Sequence, residues 1–529
     1  MSIKSVKKLY NYSLLLIVPI CIVIVIYILR NAYGPIWLGS NNDPESIHFY
    51  NALTLLKHGN IGNVDNPGTT MQLLMAGMTP IIYFFRFTSS PFWEDVILHF
   101  DTYIETFFAI IIVINAFYIF LLGKIVFQNT GNIVFAMSLQ SIYIILLDVF
   151  IYSLSRFGIE ILLFTITFPV IIVILKLWFN PIYCESQITF SKHVQIPKYI
   201  LYLVLICGAG MALKFTFLPI VILSIFLIPR YINKLIFCLM SFIVFAIIIV
   251  PIWDKIPYMI SWITKISQGS GAYGSDKSFF INPIENKQLI VSLLQNNSIY
   301  FVTVFSLFGI VILYLRNNTK IFKFIYRLSL GLLVLFSFAI FIVLKSPGVR
   351  YIQPILYLTP LSVLIIYEIL KRKQFRSKIV TSSYYILIGF LLIHSVFYLR
   401  DFRYRCKGKR DIQLGVYKQL ETTYAKKIKI GSYLSSSPAS ALYLNFALHN
   451  FLKNPYLKQR YNRYFYYDKF TQKYLNWDGY TNLETIIRKY GKNNIVFFCS
   501  PLEYTPDFYP KVKLKILLNN DIERIYRIQ

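Results

Sequence analysis

Residues 199–229 read YILYLVLICGAGMALKFTFLPIVILSIFLIP, and Lys214 is the only charged side chain in this stretch. A transmembrane helix needs about 20 apolar residues to cross the hydrocarbon core of a bilayer. The stretch is therefore too long for one crossing, and Lys214 near its middle, followed by Pro219, interrupts it. We predict two short membrane spans that meet at Lys214.

The rest of the chain also has the composition of a membrane protein. Hydrophobic residues make up 56% of the 529 residues and charged residues only 15%, where soluble domains have about 25% charged residues. So few polar side chains do not cover that much apolar surface in water. Disordered, collagen-like and disulfide-stapled chains are excluded as well, since the sequence has 6 Cys, 23 Gly and 22 Pro.

The formal net charge of +29 raises the question of a nucleic-acid partner. The basic loops, however, directly adjoin apolar stretches and contain no recognisable nucleic-acid-binding module. We therefore expect the positive charge to orient the chain in a membrane and to contact membrane lipids. No nucleic acid is expected among its partners.

Further apolar stretches are long enough to cross a bilayer. With the divided stretch at Lys214 they give about eleven crossings, so the predicted fold class is a polytopic α-helical membrane protein. The first stretch is too long and too unlike a cleavable signal peptide to be removed, and we expect it to remain as an anchor. The further spans cover roughly residues 11–30, 103–123, 132–152, 159–179, 235–253, 299–315, 328–344, 352–370 and 380–399.

The Lys and Arg residues of the short loops predict the topology, because they are enriched on the cytoplasmic side. A cytoplasmic N-terminus puts the later basic loops, from Lys124 to the cluster at residues 371–378, in the cytoplasm as well. This alternation requires residues 71–87, which Pro80 interrupts, to form a partly inserted or re-entrant helix. The parts outside the cytoplasm are then residues 31–102, 153–158, 254–298, 345–351 and those from about 401 onward.

The composition changes near residue 401, where the chain becomes rich in Lys, Arg, Tyr and Asn. We therefore divide it into a transmembrane catalytic module, residues 1–400, and a small periplasmic α/β domain, residues 401–529. Cys406 and Cys499 both lie in that domain, where an oxidising compartment permits a disulfide. The predicted elements are strands in KIKIGSYL (427–434) and NNIVFFCS (493–500), a helix in TNLETIIRKYG (481–491), and a strand pair in KLKILL (513–518) and ERIYRI (523–528).

Asp43 and Glu45 form an acidic pair shortly after the first span, separated by Pro44. Two carboxylates at a membrane surface can share a cation or divide the work of general acid and base. Alternatively, Asp43 caps the helix predicted in IHFYNALTLL (47–56) and Glu45 stabilises the N-terminal end of its dipole. Spacing alone leaves both interpretations open.

Other polar residues have structural alternatives too. Arg156 and Glu160 are four residues apart, which also suits an ordinary ion pair on a helix. Asp65 suits an acceptor site or a simple Asp-Asn-Pro-Gly turn. His48 lies near the acidic pair without metal-ligand spacing around it, so a surface or packing role is favoured. Lys214 has the alternative of extending its amine to the membrane interface.

In their order along the chain these segments resemble the GT-C superfamily of integral-membrane glycosyltransferases. The nearest likeness is to the group of protein O-mannosyltransferases and aminoarabinose lipid A transferases, and it covers roughly residues 10–400. Asp43-Pro44-Glu45 and Asn66-Pro67-Gly68 depart from the adjacent acids and the Lys-Pro-Pro of the aminoarabinose group, which leaves sugar and acceptor open. The matching segments are Asp43-Pro44-Glu45 with Tyr50, residues 64–70, 153–160 with Arg156 and Glu160, 212–219 with Lys214, and 348–354 with Arg350-Tyr351.

The resemblance implies inverting transfer of a sugar from a polyprenyl-phosphate donor to a periplasmic glycolipid, glycan or protein. Such a reaction needs a base for the acceptor proton and cations for the leaving phosphate. Asp43 is the first choice as base, with Glu45 as its alternative or partner. A divalent metal at Asp43 and Glu45 stays an alternative, although many members of the group are expected to work without one. The donor phosphate is assigned to Lys214 and Arg350 with Tyr351 and Arg156, and supporting roles to His48, Tyr50, Asp65 and Glu160.

Two other classes fit a polytopic membrane protein. A transporter or lipid flippase predicts ionisable residues in mid-span and matched, broken repeats. The sequence has one broken pair of spans and no internal repeat. A polysaccharide ligase or polymerase also uses polyprenyl donors, but would place its essential Arg and His residues in a large late loop and would not need the acidic pair.

Overall fold

The computed structural model describes residues 10–39, 45–62, 67–179, 187–191, 194–267, 291, 295–314, 320–345, 351–372, 378–432, 435–449, 458, 460–468, 471–499, 513–520 and 522–529. The described chain is mostly helical and has a small sheet near its C-terminal end. It divides into two compact units. Unit 1 comprises Met1–Tyr27, Val64–Met71 and Ile110–Leu399, and unit 2 comprises Ile28–Asn63, Gln72–Ala109 and Arg400–Gln529.

The α-helices of the first half of the chain are α1 (Ile17–Tyr33), α2 (Ile47–His58), α3 (Thr69–Phe85), α4 (Phe92–Leu98), α5 (Phe100–Thr130), α6 (Ile133–Ile145), α7 (Leu147–Val149), α8 (Ile159–Phe179), α9 (Lys198–Leu213), α10 (Leu218–Leu227), α11 (Tyr231–Ile248) and α12 (Ile256–Ser267). Those of the second half are α13 (Ser298–Tyr314), α14 (Lys320–Lys345), α15 (Gln353–Leu356), α16 (Thr359–Arg372), α17 (Lys378–Thr422), α18 (Pro438–His449) and α19 (Leu483–Tyr490). A π-helix covers Phe150–Leu154, and 3₁₀ turns cover Phe215–Phe217, Val250–Lys255 and Lys492–Asn494.

Apolar helices in the described residues support a membrane-embedded protein. Five are long and apolar enough to cross a bilayer, and a sixth span results if the pair Ile133–Ile145 and Leu147–Leu154, bent by 66°, is one span. Shorter apolar helices occupy the other predicted spans, including α9 and α10 on either side of Lys214. The five long helices are Tyr10–Tyr33, Phe100–Thr130, Ile159–Phe179, Tyr231–Ile248 and Ser382–Thr422.

Two expectations about these helices need correction. Pro80 lies inside α3 and does not interrupt it, since the helix runs from Thr69 to Phe85. Proline removes only one backbone N–H donor, and apolar helices tolerate it where neighbouring groups compensate. The last helix, α17, continues to Thr422, well past the change in composition at residue 401. Its C-terminal half carries charged and polar residues that favour a helix as much as apolar ones do.

Unit 1 is a bundle of apolar helices with an aromatic core. Tyr143, Phe164, Phe168 and Tyr357 are fully buried, and Tyr357 meets Phe164 edge-on with ring centroids 4.9 Å apart. Helix α9 packs closely on α11 at Gly208, where an added Cβ would lie 2.5 Å from Val244 Cγ1. Small residues at such positions let membrane helices approach each other, and this fixes α9 in the bundle.

Unit 2 contains a seven-stranded sheet. Its strands are β3 (Ile428–Gly431), β4 (Tyr464–Asp468), β5 (Lys473–Asn476), β6 (Gly479–Thr481), β7 (Ile495–Cys499), β8 (Leu514–Leu518) and β9 (Arg524–Ile528); β1 (Gln187–Ser191) and β2 (Val194–Pro197) form a separate hairpin in unit 1.

The order of the strands in the larger sheet is β6-β5-β4-β3-β7-β9-β8. The central strands β4, β3 and β7 are parallel, and every residue in them is buried. Such continuous burial is typical of parallel strands covered on both faces. The predicted strands at 427–434 and 493–500, the helix before Gly491 and the final strand pair are confirmed.

Candidate functional site

Lys214 lies at a break between two helices of unit 1. Helix α9 ends at Leu213, and the backbone of Lys214 is extended, with φ −161° and ψ 134°. A 3₁₀ turn follows, and Pro219 begins the next regular helix near its first position, where a missing N–H costs nothing. The break directs the lysine inward. Its side chain is only 5% exposed, which contradicts the alternative of an amine extended to the interface.

The amine of Lys214 is paired with a carboxylate. Nζ donates a hydrogen bond of 2.7 Å to Glu160 Oε1, and the Glu160 side chain is 14% exposed. An unpaired charge at this depth would be costly, so each residue depends on the other. The structure thus joins two sequence segments, 153–160 and 212–219, that we had singled out separately.

Two more of the predicted segments contact the end of α9 or Lys214 itself. Gly68 N donates to Leu213 O at 3.0 Å, and Thr70 Oγ1 donates to Ala209 O at 2.7 Å, which ties the Asn-Pro-Gly-Thr-Thr segment to the end of α9. The ring of Tyr351 lies 6.0 Å from Lys214 Nζ, within the range of a cation–π contact.

Tyr357, three residues after the predicted segment 348–354, contacts the residues around Glu160. The hydroxyl of Tyr357 lies 2.7 Å from Ser153 Oγ and donates to Glu160 O at 3.3 Å. Tyr357 belongs to the turn that follows α15, the short helix that begins at Gln353. Four segments that are far apart in sequence therefore converge within unit 1. We call this set, Glu160, Lys214, Tyr351, Gln353 and Tyr357, the lysine site.

Two buried polar atoms in the segments that converge here have no hydrogen-bond partner among the described residues. They are Nε2 of Gln353, a residue without exposed surface, and Oγ1 of Thr216, two residues after Lys214. A buried donor without a partner costs about 1–3 kcal/mol. Sequence reasoning had not given either residue a role.

The acidic residue of the first loop lies in unit 2 and is also paired. Glu45 has no exposed surface, and its Oε2 accepts a hydrogen bond of 3.0 Å from Arg30 Nη1. Arg30 binds Glu105 as well, from Nε at 2.7 Å and from Nη2 at 2.6 Å. Arg30 and Glu105 were missed because they were read as parts of apolar spans. Their charge inside an apolar stretch is the sequence feature that could have identified them, because such residues are rare within membrane spans and usually paired.

The supporting residues of the first loop have packing roles. Tyr50 is fully buried, with its ring 5.7 Å from that of Phe100. Burial raises the pKa of Tyr50 well above its usual range, so its hydroxyl stays neutral. His48 is partly exposed, and its Nδ1 lies 3.5 Å from Gln72 Nε2. Neither arrangement suggests acid–base work.

Three predicted site residues, Asp43, Asp65 and Arg350, lie outside the described residues. Arg156 is half-buried in the bend between the π-helix and α8. Within the described ranges, no group of three or more His, Cys, Asp or Glu side chains is placed to hold a metal ion. Cys406 and Cys499 are both free thiols.

A second buried polar cluster in unit 2 was not predicted. Asp95 accepts two hydrogen bonds from Arg86, at 2.7 and 3.1 Å, and one of 2.6 Å from the hydroxyl of Tyr103. Burial by itself would raise the pKa of Asp95, but the bonds from Arg86 and Tyr103 and the charge of Arg86 together lower it. The cluster locks the corner between α3, α4 and α5, and we assign it a structural role.

Asp148 is a buried carboxylate in the bent segment of unit 1. It is 2% exposed and accepts hydrogen bonds from Asn296 Nδ2 at 3.1 Å and Asn297 Nδ2 at 2.6 Å. Ionisable residues inside membrane helices are rare and commonly functional. Its position within the predicted span 132–152 was the signal available from the sequence.

Comparison with known proteins adds no family to this description. No family model matches the sequence, and no curated protein or solved structure matches it significantly.

Proposed function

We propose that this chain is a membrane glycosyltransferase of the GT-C type, which moves a sugar from a polyprenyl phosphate to a periplasmic glycolipid, glycan or protein. The proposal includes the eleven-span topology, a cytoplasmic N-terminus and residence in a bacterial inner membrane. The observation that carries it is the convergence of four sequence segments on the buried Lys214–Glu160 pair. They are four of the five segments on which the resemblance to this superfamily rests, and the fifth contains the acidic pair.

The reaction is a single displacement. An oxygen of the acceptor forms a bond to the anomeric carbon of the sugar while its proton passes to a carboxylate of the enzyme. The bond between that carbon and the phosphate oxygen breaks, and the polyprenyl phosphate leaves with the electron pair. Cations that hold the phosphate lower the barrier because they stabilise the charge that develops there.

The geometry of Glu45 bears on the choice of base. Its carboxylate has no exposed surface and is bound to Arg30, so an acceptor hydroxyl has no free face to approach. We therefore assign Asp43 the role of base and Glu45 that of a neighbour that holds the loop in place.

The pairing of Lys214 bears on phosphate binding. Because Glu160 already balances its charge, Lys214 supplies a hydrogen-bond donor more than a net positive charge. Arg156 and Arg350 then supply the charge, and guanidinium groups suit phosphate oxygens because they bind them with two parallel donors. The unpartnered donors of Gln353 and Thr216 complete the phosphate site.

The test is a transfer assay with protein in nanodiscs, radiolabelled polyprenyl-phosphate hexoses and pentoses, and an extract of cell-envelope acceptors. We expect Asp43→Asn to lower transfer by about 10²–10⁴-fold, the usual contribution of a general base. Lys214→Met should also lose transfer, whereas Lys198→Met, at the exposed start of the same helix, should retain it. Equal transfer by wild type and Asp43→Asn contradicts the mechanism.

A lipid flippase or transporter is the second candidate. The buried ion pair at the break between α9 and α10, and Asp148 in the bent segment, are ionisable groups of the kind that such proteins place within their spans. Proteoliposomes with a fluorescent polyprenyl-phosphate sugar distinguish the two. Movement of the lipid across the bilayer without any sugar transfer favours the transporter.

A further inference from the structure

Six basic residues follow the last predicted span within one unbroken helix. The span ends near residue 399, and α17 continues from there to Thr422. Residues 400–410, RDFRYRCKGKR, contain six Lys or Arg and one Asp, and we call them the basic stretch. A helix rises 1.5 Å per residue, so the basic stretch covers about the first 15 Å beyond the span. The headgroup layer of a bilayer, roughly 5–8 Å thick, therefore lies against it.

Three cations of the basic stretch have no acidic partner among the described residues. They are Arg403, Lys407 and Lys409, and all three are exposed. Two of the other basic residues are bound to the aspartate that follows each of them, at 3.2 and 2.7 Å. The remaining one, Arg405, lies over the ring of Phe402, with its guanidinium carbon 5.7 Å from the ring centroid. We call Arg403, Lys407 and Lys409 the free cations, since their charge is available to a partner.

Another side of α17 is held by residues 31–39, which belong to the same unit. They pack on the helix with aromatic rings and bind the loop that follows β3. The contacts are Tyr33 with Phe402 at 6.0 Å between ring centroids, Trp37 with Tyr417 at 4.7 Å, and the hydrogen bonds from Arg410 Nη1 to Asn31 O at 2.6 Å and from Gly39 N to Ser436 Oγ at 2.9 Å. Because these contacts fix the helix within unit 2, the side that they leave open keeps one direction.

The open side carries the residues that proteins place at the boundary of a membrane. Tyr404 is 61% exposed and follows Phe402 by two residues, so it lies nearly opposite Phe402 on the helix. Arg403 and Lys407, four residues apart, lie on one face beside it. Helical side chains tilt toward the N-terminus of their helix, which here means toward the span. Tyr, Lys and Arg are typical of the boundary between water and lipid, where their apolar stems stay in contact with lipid.

We propose that the free cations bind the phosphate groups of anionic phospholipids in the leaflet around the end of the span. Each Lys or Arg near an anionic membrane surface strengthens binding by about fivefold. The bilayer is the occupant because the basic stretch begins where the span ends, so lipid phosphates are the nearest anions. The inference requires no sugar transfer, and it holds for either leaflet because it depends only on distance along α17.

The test uses full-length protein in vesicles of equal amounts of phosphatidylglycerol and phosphatidylcholine. Tyr404→Trp places a fluorescent side chain between Arg403 and Lys407, and subtracting the fluorescence of the wild type, with its 6 Trp, isolates it. One of the two lipids carries a nitroxide near its headgroup, which quenches a tryptophan only at close range. We expect nitroxide-labelled phosphatidylglycerol to bind at position 404 at least about fivefold more tightly than labelled phosphatidylcholine. The preference should fall at high salt, because salt screens exposed charges.

Substitutions of the free cations assign the preference to them. Arg403→Gln, Lys407→Gln and Lys409→Gln together should bring the two binding constants to within about twofold of each other. The exchange of each for the other basic residue, Arg403→Lys with Lys407→Arg and Lys409→Arg, should keep the preference and so separates lost charge from lost fold. The matched control removes three exposed cations of unit 2 outside α17 and should also keep the preference. These are Arg488→Gln, Lys489→Gln and Lys492→Gln, in α19 and the turn after it.

Equal binding of the two lipids overturns the inference, and so does the absence of quenching by either, because position 404 then lies away from the bilayer. A preference that survives the three Gln substitutions in α17, or that the α19 variant loses equally, overturns the assignment to the free cations. Loss of the preference on addition of inorganic phosphate at constant ionic strength overturns the bilayer as the source of the anion. None of these results depends on whether the protein transfers sugar.

Discussion

Lys214 is buried and Glu160 is partly buried, with side chains 5% and 14% exposed, and each neutralises the other. Removing one partner leaves an uncompensated charge, which costs roughly 3–5 kcal/mol, whereas replacing both by apolar residues is often neutral. We therefore expect Lys214→Met to lower the melting temperature strongly and the double variant Lys214→Met with Glu160→Leu to recover most of it. Thermal unfolding of the purified protein measures both.

The double variant also separates structure from chemistry. If the pair binds phosphate, the recovered protein still transfers no sugar. A double variant that is both stable and active shows that the ion pair only holds the helices together.

Gln353 offers a complementary prediction, because its amide nitrogen is buried without a partner in the described residues. Gln353→Leu removes an unsatisfied donor together with the long hydrogen bond of 3.4 Å that Oε1 accepts from the Tyr357 hydroxyl, so the melting temperature should stay nearly unchanged. The KM for the polyprenyl-phosphate sugar should rise by about tenfold if the donor binds phosphate, the value of one hydrogen bond to a charged group. A stable variant with an unchanged KM excludes Gln353 from the donor site.

For single residues, the sequence indicated which side chains lie in apolar surroundings better than it indicated which partners they contact. Lys214 was identified from its place in an apolar stretch, and its burial follows from that place. Its pairing with Glu160 did not follow, because 54 residues separate the two along the chain. The ion pairs of Arg30 could not be predicted for the same reason, since its partners Glu45 and Glu105 lie 15 and 75 residues away along the chain.

Helix α9 depends on a close approach to α11 at Gly208. A Cβ at this position would lie 2.5 Å from Val244 Cγ1 and 3.0 Å from Ser241 O. Gly208→Ala should therefore destabilise the protein by about 1–3 kcal/mol, the usual cost of overpacking. Gly389 in α17 has no atom within 4 Å of the corresponding position, so Gly389→Ala should be neutral or stabilising. Equal melting temperatures of the two variants contradict the packing.

The Asp95 cluster at the corner of α3, α4 and α5 should make the stability of the folded protein depend on pH. A carboxyl whose pKa is lower in the folded state contributes stability above its unfolded pKa, which is about 4 for Asp, and loses it as the pH falls through the folded value. Asp95 has such a lowered pKa: burial raises it, but the hydrogen bonds from Arg86 and Tyr103 together with the positive charge of Arg86 lower it by more. At neutral pH the wild type should have a higher melting temperature than Asp95→Asn. The difference between the two melting temperatures should become smaller below about pH 4. A difference independent of pH contradicts this.

At the scale of elements, hydrophobic stretches predicted helices well, since the apolar content of a span is local information. Proline was misleading at position 80, where α3 continues regardless. In the sheet, β7 was predicted from its Ile-Val-Phe-Phe run, whereas β5 and β6 were missed. Both are short and polar, and only pairing with β4 and with each other makes them strands.

For the whole molecule, the proposed topology can be tested with a native thiol. Cys406 is half-buried in the C-terminal half of α17, whereas Cys499 is buried in β7. A membrane-impermeant maleimide, added to intact cells with a permeabilised outer membrane, should label a variant whose only cysteine is Cys406. A variant with only Cys499 should react after denaturation. Labelling of Cys406 only after the inner membrane is broken reverses the topology.

The separation between Gly39 and Ser436 determines the order in which the protein can be completed. The two residues are 397 positions apart, and their hydrogen bond is buried. At about 5–20 residues per second, ribosomes need roughly 20–80 s to make the intervening chain. During that time the amide of Gly39 lacks the Ser436 hydroxyl that accepts its hydrogen bond in the finished protein. Unit 2 is therefore completed only after Ser436 has been made, around a segment that is synthesised among the first.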